Sequence, residues 1–478
     1  MSKESLWTKI CRRCPLCRYT RNCKKGGLGY HLVRALEFLC PVCRMADSSK
    51  EKIIKGIEEE FEGRYPIRPI AERDDKIEED LAKGIQKNLE LLHRYSRPDH
   101  LSYYEEILTT SIRVNELKLA KEEERKIIGI FCNFVPQELL YACDSIPVRL
   151  CAGTYETIHP AEEILPRDIC PLIKSSLGAK LLGLGYFELC DLVIIPTTCD
   201  GKKKLGEILN NLVPVWMLEL PQKKDIGSAE GLWFDEIKTL RERLQQFTGN
   251  KITGKRLRDS IELLHKRQEV FYRLHRLRRH NPPPINGRDF LLITQTGFYD
   301  DIDRWIEKTE GLCDELKHHL QPATHSSPRL LLTGAPIIWP NYKVLNIVEE
   351  AGATIVADEL CSGTQFLYEP VEPDEWTDEA MLRAIANRYL LPSTCPCFIE
   401  SSDRIDRLLS LIEEFNIDGV LYHLLRLCQL YDIELYRIRQ VLKDRNIPMI
   451  TIHTDYSQED IEQIKTRIEA FLEMLSNR

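Results

Sequence analysis

Cysteine carries most of the chemical potential of this chain, with 17 among 478 residues. The densest run is Cys11-x2-Cys14-x2-Cys17-x5-Cys23, followed by Cys40-x2-Cys43. A two-residue gap lets both thiolates of a Cys-x2-Cys knuckle reach one ion, so Cys14/Cys17 with Cys40/Cys43 can enclose a tetrahedral zinc. The Cys11, Cys14 and Cys17 spacing equally suits a [4Fe–4S] cluster, and spacing alone leaves the metal open. Arg12, Arg13, Arg18, Arg21, Lys24 and Lys25 make this end basic, as an ordinary solvated face or as a surface for an acidic partner or nucleic acid.

Six further cysteines lie far apart, and several of them fall where an apolar run ends or a helix begins. Cys151 follows VRL, Cys170 opens a helix in Asp168-Ile169-Cys170-Pro171, and Cys199 follows LVII. In the second half Cys361 follows TIVA, Cys395 sits in a proline-bounded loop, and Cys428 comes shortly after GVLY. In parallel α/β sheets the carboxyl ends of strands are where loops gather residues from distant segments. A thiolate at a helix N-terminus gains from the exposed amides, and Pro171 suits the first helical turn. Cys132, Cys143, Cys190 and Cys313 read as small core hydrophobes. Lys202, Lys203 and Lys204 oppose the dipole of the helix they start, either as solvated charges or as partners of something anionic. Glu138, His453 and Asp455 read as structural hydrogen-bonding groups.

The elements that must position these thiols follow from length and pattern. A chain this long exceeds the roughly 250 to 300 residues at which a single core stops growing, so several domains are expected. A formal charge of −8 argues against a protein that grips nucleic acid over its whole surface. No apolar stretch reaches the roughly 18 to 20 residues of a membrane span, and the N-terminus lacks a secretory apolar core, so the expected location is the cytoplasm. A reducing cytosol disfavours disulfides, leaving metal binding as the explanation for many of the cysteines.

The pattern divides the chain into a Cys-rich metal module (1–47), a charged helical linker (48–124), a first α/β lobe with a helical extension (125–285) and a second α/β lobe (286–478). Strands are expected at 127–131, 147–150, 192–195 and 213–218, then at 290–294, 329–332, 354–357, 419–422 and 448–452. Helices are expected near Pro136, Cys170 and Lys202, with two long ones between 227 and 280. The run Asn281-Pro282-Pro283-Pro284 forbids helix continuation. The fold class is therefore α/β, two Rossmann-like parallel-sheet lobes with helical elements beside the small metal module. The segment Gly249-Asn250-Lys251-Ile252-Thr253-Gly254-Lys255 imitates a phosphate loop, but Arg256 stands where Ser or Thr should hold magnesium, and a helix precedes it. It reads as a helix connector.

Beyond these patterns, the segments GIFCNFVPQELLYACDSIPVRLCAGTY, LPRDICPLIKSS, IIPTTCDGKKK, LLTGAPI, ADELCSGTQF, RYLLPSTCPCF and GVLYHLLRLCQLYDIE make residues 126–478 resemble a known superfamily. This is the 2-hydroxyacyl-CoA dehydratase and benzoyl-CoA reductase superfamily, and within it the double-cubane cluster proteins. The resemblance implies a [4Fe–4S] cluster on the cysteines matching Cys170, Cys199 and Cys428, fed low-potential electrons by an ATP-hydrolysing iron–sulfur activator protein. The double-cubane branch implies added ligands matching Cys151, Cys361 and Cys395 and an [8Fe–9S] cluster. Two cubanes sharing one bridging sulfide leave six irons wanting terminal thiolates, which six cysteines match. Cys397, two residues from Cys395, is the alternative in its loop.

So read, the chain is an enzyme, an iron–sulfur reductase acting on a small-molecule substrate, and by the family's habit a homodimer. The alternatives are a 2-hydroxyacyl-CoA dehydratase or acyl-CoA reductase subunit with one [4Fe–4S] cluster, and a non-enzymatic metal-binding regulator. The N-terminal module, Cys11, Cys14, Cys17, Cys23, Cys40 and Cys43, stands outside the resemblance as a zinc or [4Fe–4S] site.

Overall fold

The structure is a computed structural model and describes residues 75–93, 97–224, 227–318, 327–367, 369–400 and 402–477. The six N-terminal cysteines lie outside these residues, as does the apolar repeat at Ile53, Ile54, Ile57 and Phe61. Everything described belongs to one unit, Glu72–Arg478.

Short runs of β-branched and leucine residues form the strands; the inner ones are buried throughout because both faces are covered, while Val215–Leu218 and Met449–Thr454 are only partly buried. The first sheet holds β1 (Ile127–Ile130), β2 (Ile146–Arg149), β3 (Leu192–Pro196) and β4 (Val215–Leu218). The second holds β5 (Arg329–Gly334), β6 (Thr354–Glu359), β7 (Gly419–Leu425) and β8 (Met449–Thr454). Both are wholly parallel, in the orders β2-β1-β3-β4 and β6-β5-β7-β8. The two lobes thus repeat one topology, a kinship with no period in the sequence. Each changes winding direction beside its first strand, between β1 and β3 and between β5 and β7, where the carboxyl ends open a crevice.

One expected strand is corrected. Phe290–Thr294 lies inside a helix, Gly287–Thr296, whose Asn286 side chain caps the amide of Asp289. All ten residues of this helix are buried, so no polar face interrupts the apolar run, and periodicity could not separate it from a core strand. The phosphate-loop imitation is a connector between the helices Gly227–Thr248 and Gly254–Leu277, with Thr253 capping the second.

Packing ties the halves of the chain together. The helix Asp378–Leu390 comes from the second half, yet Met381, Leu382, Ile385 and Ala386 join the core under the first sheet, where the indole of Trp233 donates to the Ala386 carbonyl at 2.9 Å. Conversely, Phe271, Leu274 and Leu277 from the end of the helix Gly254–Leu277 join the second core with Leu92, Leu101 and Tyr104. No described helix is long and apolar enough to cross a membrane.

Candidate metal centre

The two lobes place cysteines at matching stations. Cys151 and Cys361 each lie two residues past the ends of β2 and β6, at Arg149 and Glu359. Cys199 and Cys428 each lie three residues past the ends of β3 and β7, at Pro196 and Leu425, and each occupies the N-cap position of the next helix, Asp200–Leu209 and Gln429–Asp444. Cys170 and Cys395 occupy the connections between those strands, and Cys170 N-caps Pro171–Leu181. Three N-cap thiols therefore face exposed helical amides, which favour negative sulfur.

These stations converge. A cavity of about 520 Å³ is walled by Cys170 and Cys199 from the first lobe and by Cys361, Cys395 and Cys428 from the second. Cys151 does not line it but lies buried close behind, within electrostatic reach of Lys202, which does. Cys397 lines the wall too, hydrogen-bonded to Cys395. All of these cysteines are free thiols. Cys143, Cys190 and Cys313 are buried in the cores, as their setting in the sequence predicts.

Cys132 belongs to the first core, as its setting in the sequence predicts. Although buried, it borders the cavity two residues past β1, takes a hydrogen bond from Lys202 Nζ at 2.6 Å, and lies 3.3 Å from Thr198 Oγ1. Its sequence signal is the same strand-end rule that singles out Cys151. Cys132 and Leu427, both on the cavity wall, have positive φ of 57° and 63°, a conformation that residues with a Cβ adopt uncommonly. Lys203 and Lys204 pair with Asp200 and Glu207 at the surface, whereas Lys202 is buried. Glu138 is buried, Asp455 pairs with Arg426, and His453 is exposed; none of the three lines the cavity.

The thiols titrate as an interacting set. Cys428 donates to Cys170 across the lobes, which together with the Leu172 and Ile173 amides lowers Cys170 to about 7 and pushes Cys428 up. Burial raises Cys361 to about 12 and also raises Cys199. Each would ionise on binding a metal, which supplies the compensating charge.

A fully buried salt-bridge network fixes the second lobe's thiol segments. Arg404 meets Glu359 and Glu434 at 3.0 Å each, donates to Thr333 Oγ1 at 2.9 Å and to the Thr394 carbonyl at 3.1 Å. Thr394 and Gln365, both on the cavity wall, donate to Glu359. Glu359 and Thr394 stand two residues and one residue before Cys361 and Cys395, and Glu434 lies in the helix that Cys428 caps, so one guanidinium braces all three segments.

Among the described residues, no three His, Cys, Asp or Glu side chains stand close enough to hold a single ion. A lone zinc needs its thiolates about 2.3 Å from one point. Thiols spread around a cavity instead suit a polynuclear cluster, whose irons each take a terminal sulfur. The donor set fits such a group: five of the six thiols line one cavity, from strand ends, helix starts and the loop of Cys395, with Cys151 close behind.

Residues 132–475 match the family described as 2-hydroxyglutaryl-CoA dehydratase, D-component. The Escherichia coli K12 protein YjiM, provisionally named a dehydratase subunit, is 35% identical over 361 residues, covering 74% of this chain and 93% of that protein. The (R)-phenyllactyl-CoA dehydratase beta subunit of Clostridium sporogenes is 24% identical, covering 75% and 94%. A benzoyl-CoA reductase subunit of Thauera aromatica is 24% identical over 52% of this chain and 65% of its own. With nearly three-quarters of its length matched, the chain belongs to the 2-hydroxyglutaryl-CoA dehydratase D-component family, within the 2-hydroxyacyl-CoA dehydratase superfamily.

Proposed function

We propose that this chain is a low-potential iron–sulfur reductase in which Cys151, Cys170, Cys199, Cys361, Cys395 and Cys428 hold one [8Fe–9S] double-cubane cluster between the lobes. The observation that carries this reading is the convergence of thiols from matching stations of both lobes on one cavity. A cluster held by one lobe would leave the second lobe's triad, and the Arg404 network bracing it, without a purpose. The cluster supplies electrons to a small, hard-to-reduce molecule, and the chain's own part is to hold, shield and orient.

Electrons come from a separate ATP-hydrolysing iron–sulfur partner. An apolar rim supports docking at the cavity mouth, where Ile399, Leu427 and Ile433 line the opening at 62%, 51% and 78% exposure and Tyr436 lies one turn beyond Ile433. The chain acts as a homodimer in the cytoplasm. The N-terminal cysteines bind zinc or a [4Fe–4S] cluster of their own.

A second reading rests on the contact between Cys170 and Cys428 and on relatives named as dehydratase subunits. There, Cys170, Cys199 and Cys428 would hold a single [4Fe–4S] cluster, which would supply electrons and Lewis-acid activation to a thioester. Anaerobic purification with iron and sulfide analysis separates them. With the six N-terminal cysteines replaced by serine, about eight irons per chain support the double cubane and about four support the single cluster. ATP-dependent reduction with an added activator tests the reductase itself, and its absence alongside tight binding to a macromolecule would favour a regulator instead.

A further inference from the structure

Buried cations in this fold are mostly matched by carboxylates. Arg278 meets Asp358 at 3.2 Å, Arg288 meets Glu349 at 2.7 Å and Arg404 meets Glu359 at 3.0 Å. Arg329 is satisfied by the carbonyls of Phe415, His280 and Arg278, and Arg267 donates to Gln137 with Glu138 as its nearby carboxylate.

Two buried cations differ, Lys202 on the cavity wall and Arg149 behind it at the Cys361 backbone. Lys202, 9% exposed, directs its ammonium at Cys132, and the thiols of Cys151, Cys170, Cys199 and Cys361 lie within its electrostatic reach. Arg149, 2% exposed at the end of β2, lies over the rings of Phe298 and Phe366 at 4.7 Å and 5.4 Å. Its Nη2 reaches the Cys361 carbonyl in the other lobe at 3.3 Å, while its Nε and Nη1 have no hydrogen-bond partner. Neither cation has a carboxylate ion pair among the described residues. Burying a charge without an opposite one is costly, and the fold does so both on the thiol wall and just behind it.

We propose that Lys202 and Arg149 are positioning residues supplying the fixed counter-charge for the anionic iron–sulfur group held by the cavity thiolates, and thereby raise its reduction potential. This deepens the preceding reading and rests on it. Each electron received from the partner adds one negative charge, so a fixed cation stabilises the reduced form more than the oxidised form. Arg149, anchored to the Cys361 carbonyl from the opposite lobe, also makes that charge depend on the lobes staying together.

The test uses the full chain, purified anaerobically, with Lys202→Met, Arg149→Met, the double variant and Lys202→Arg. Iron and sulfide content and the midpoint potential, followed by electron paramagnetic resonance, are read together. The midpoint moves to more negative potential in each methionine variant and furthest in the double, while Lys202→Arg stays close to the parent. Full iron with an unmoved midpoint in both single variants overturns the proposal and leaves the cluster assignment standing. Should the methionine variants lose iron, Lys202→Arg must restore it, and an arginine variant that loads no better than methionine also overturns the proposal. A parent chain without iron overturns the cluster reading itself, and this inference with it.

Discussion

Replacing Arg404 by leucine probes the scaffold behind the cavity. The guanidinium is wholly buried between two carboxylates that are themselves buried, Glu359 at 0% exposure and Glu434 at 6%. Leucine recovers part of the packing but leaves both carboxylates without their cation, and leaves the Thr394 carbonyl and the Thr333 hydroxyl without a donor. Removing one partner of a buried ion pair costs about 3–5 kcal/mol, a large part of a typical domain's stability. Arg404→Leu is therefore expected to lose about 3–5 kcal/mol in urea unfolding followed by tryptophan fluorescence. Arg404→Leu/Glu359→Gln should recover part of that, because a neutral amide tolerates the site better than a lone carboxylate. Since the network braces the segments of Cys361, Cys395 and Cys428, bound iron per chain should fall as well. A loss below about 1 kcal/mol with full iron would refute the bracing role, because it would mean that the carboxylates do not need the guanidinium.

Other outcomes follow from the same geometry. Cys170→Ala or Cys428→Ala should abolish visible cluster absorption and most bound iron, whereas Cys313→Ala, in the second core with its Sγ near the Val270 carbonyl, should leave both intact; equal effects would defeat the assignment. Comparing iron content in Cys395→Ala and Cys397→Ala identifies the ligand of that loop, with the larger loss expected at Cys395. Burial lowers His423 from 6.5 to about 4, its Nδ1–H donating to the Ala335 carbonyl at 2.7 Å. The unfolded chain takes up a proton below pH 6.5 that the folded one refuses until about pH 4. Stability should therefore be intact above pH 6.5 and fall by about 3 kcal/mol as the pH drops through that window. Urea unfolding at about pH 7 and about pH 5 checks this, and His423→Asn should flatten the slope. Gly334 ends β5 with φ at 110°, where a Cβ would lie 2.1 Å from the His423 carbonyl oxygen, so Gly334→Ala should abolish or severely destabilise folding, read as lost soluble yield or a lowered Tm.

The strands were legible because Ile127–Ile130 or Leu192–Pro196 can be buried on both faces only in a covered parallel sheet, and the sequence marks them with unbroken apolar runs. The same property hid Gly287–Thr296, a helix with no polar face. The convergence of cysteines was legible as placement at strand ends, since that edge of a parallel sheet gathers loops whatever their order in the chain. Cys132 obeys the rule and still reads as core, because a lone buried thiol looks alike in both settings until Lys202 is seen beside it. Arg149 and Arg404 were out of reach, their partners lying 212 residues away at Cys361 and 71 residues away at Thr333. Nor does the local pattern of Asp378–Leu390 reveal that it packs under the first sheet through Trp233, a contact made across 153 residues.

An anomalous difference map collected at the iron edge from an anaerobic crystal tests the shared cluster most directly. One continuous iron feature inside the cavity, bonded on one side by Cys170 and Cys199 and on the other by Cys361 and Cys428, is the predicted result. Iron confined to the sulfurs of a single lobe, or found only among the N-terminal cysteines, would contradict it.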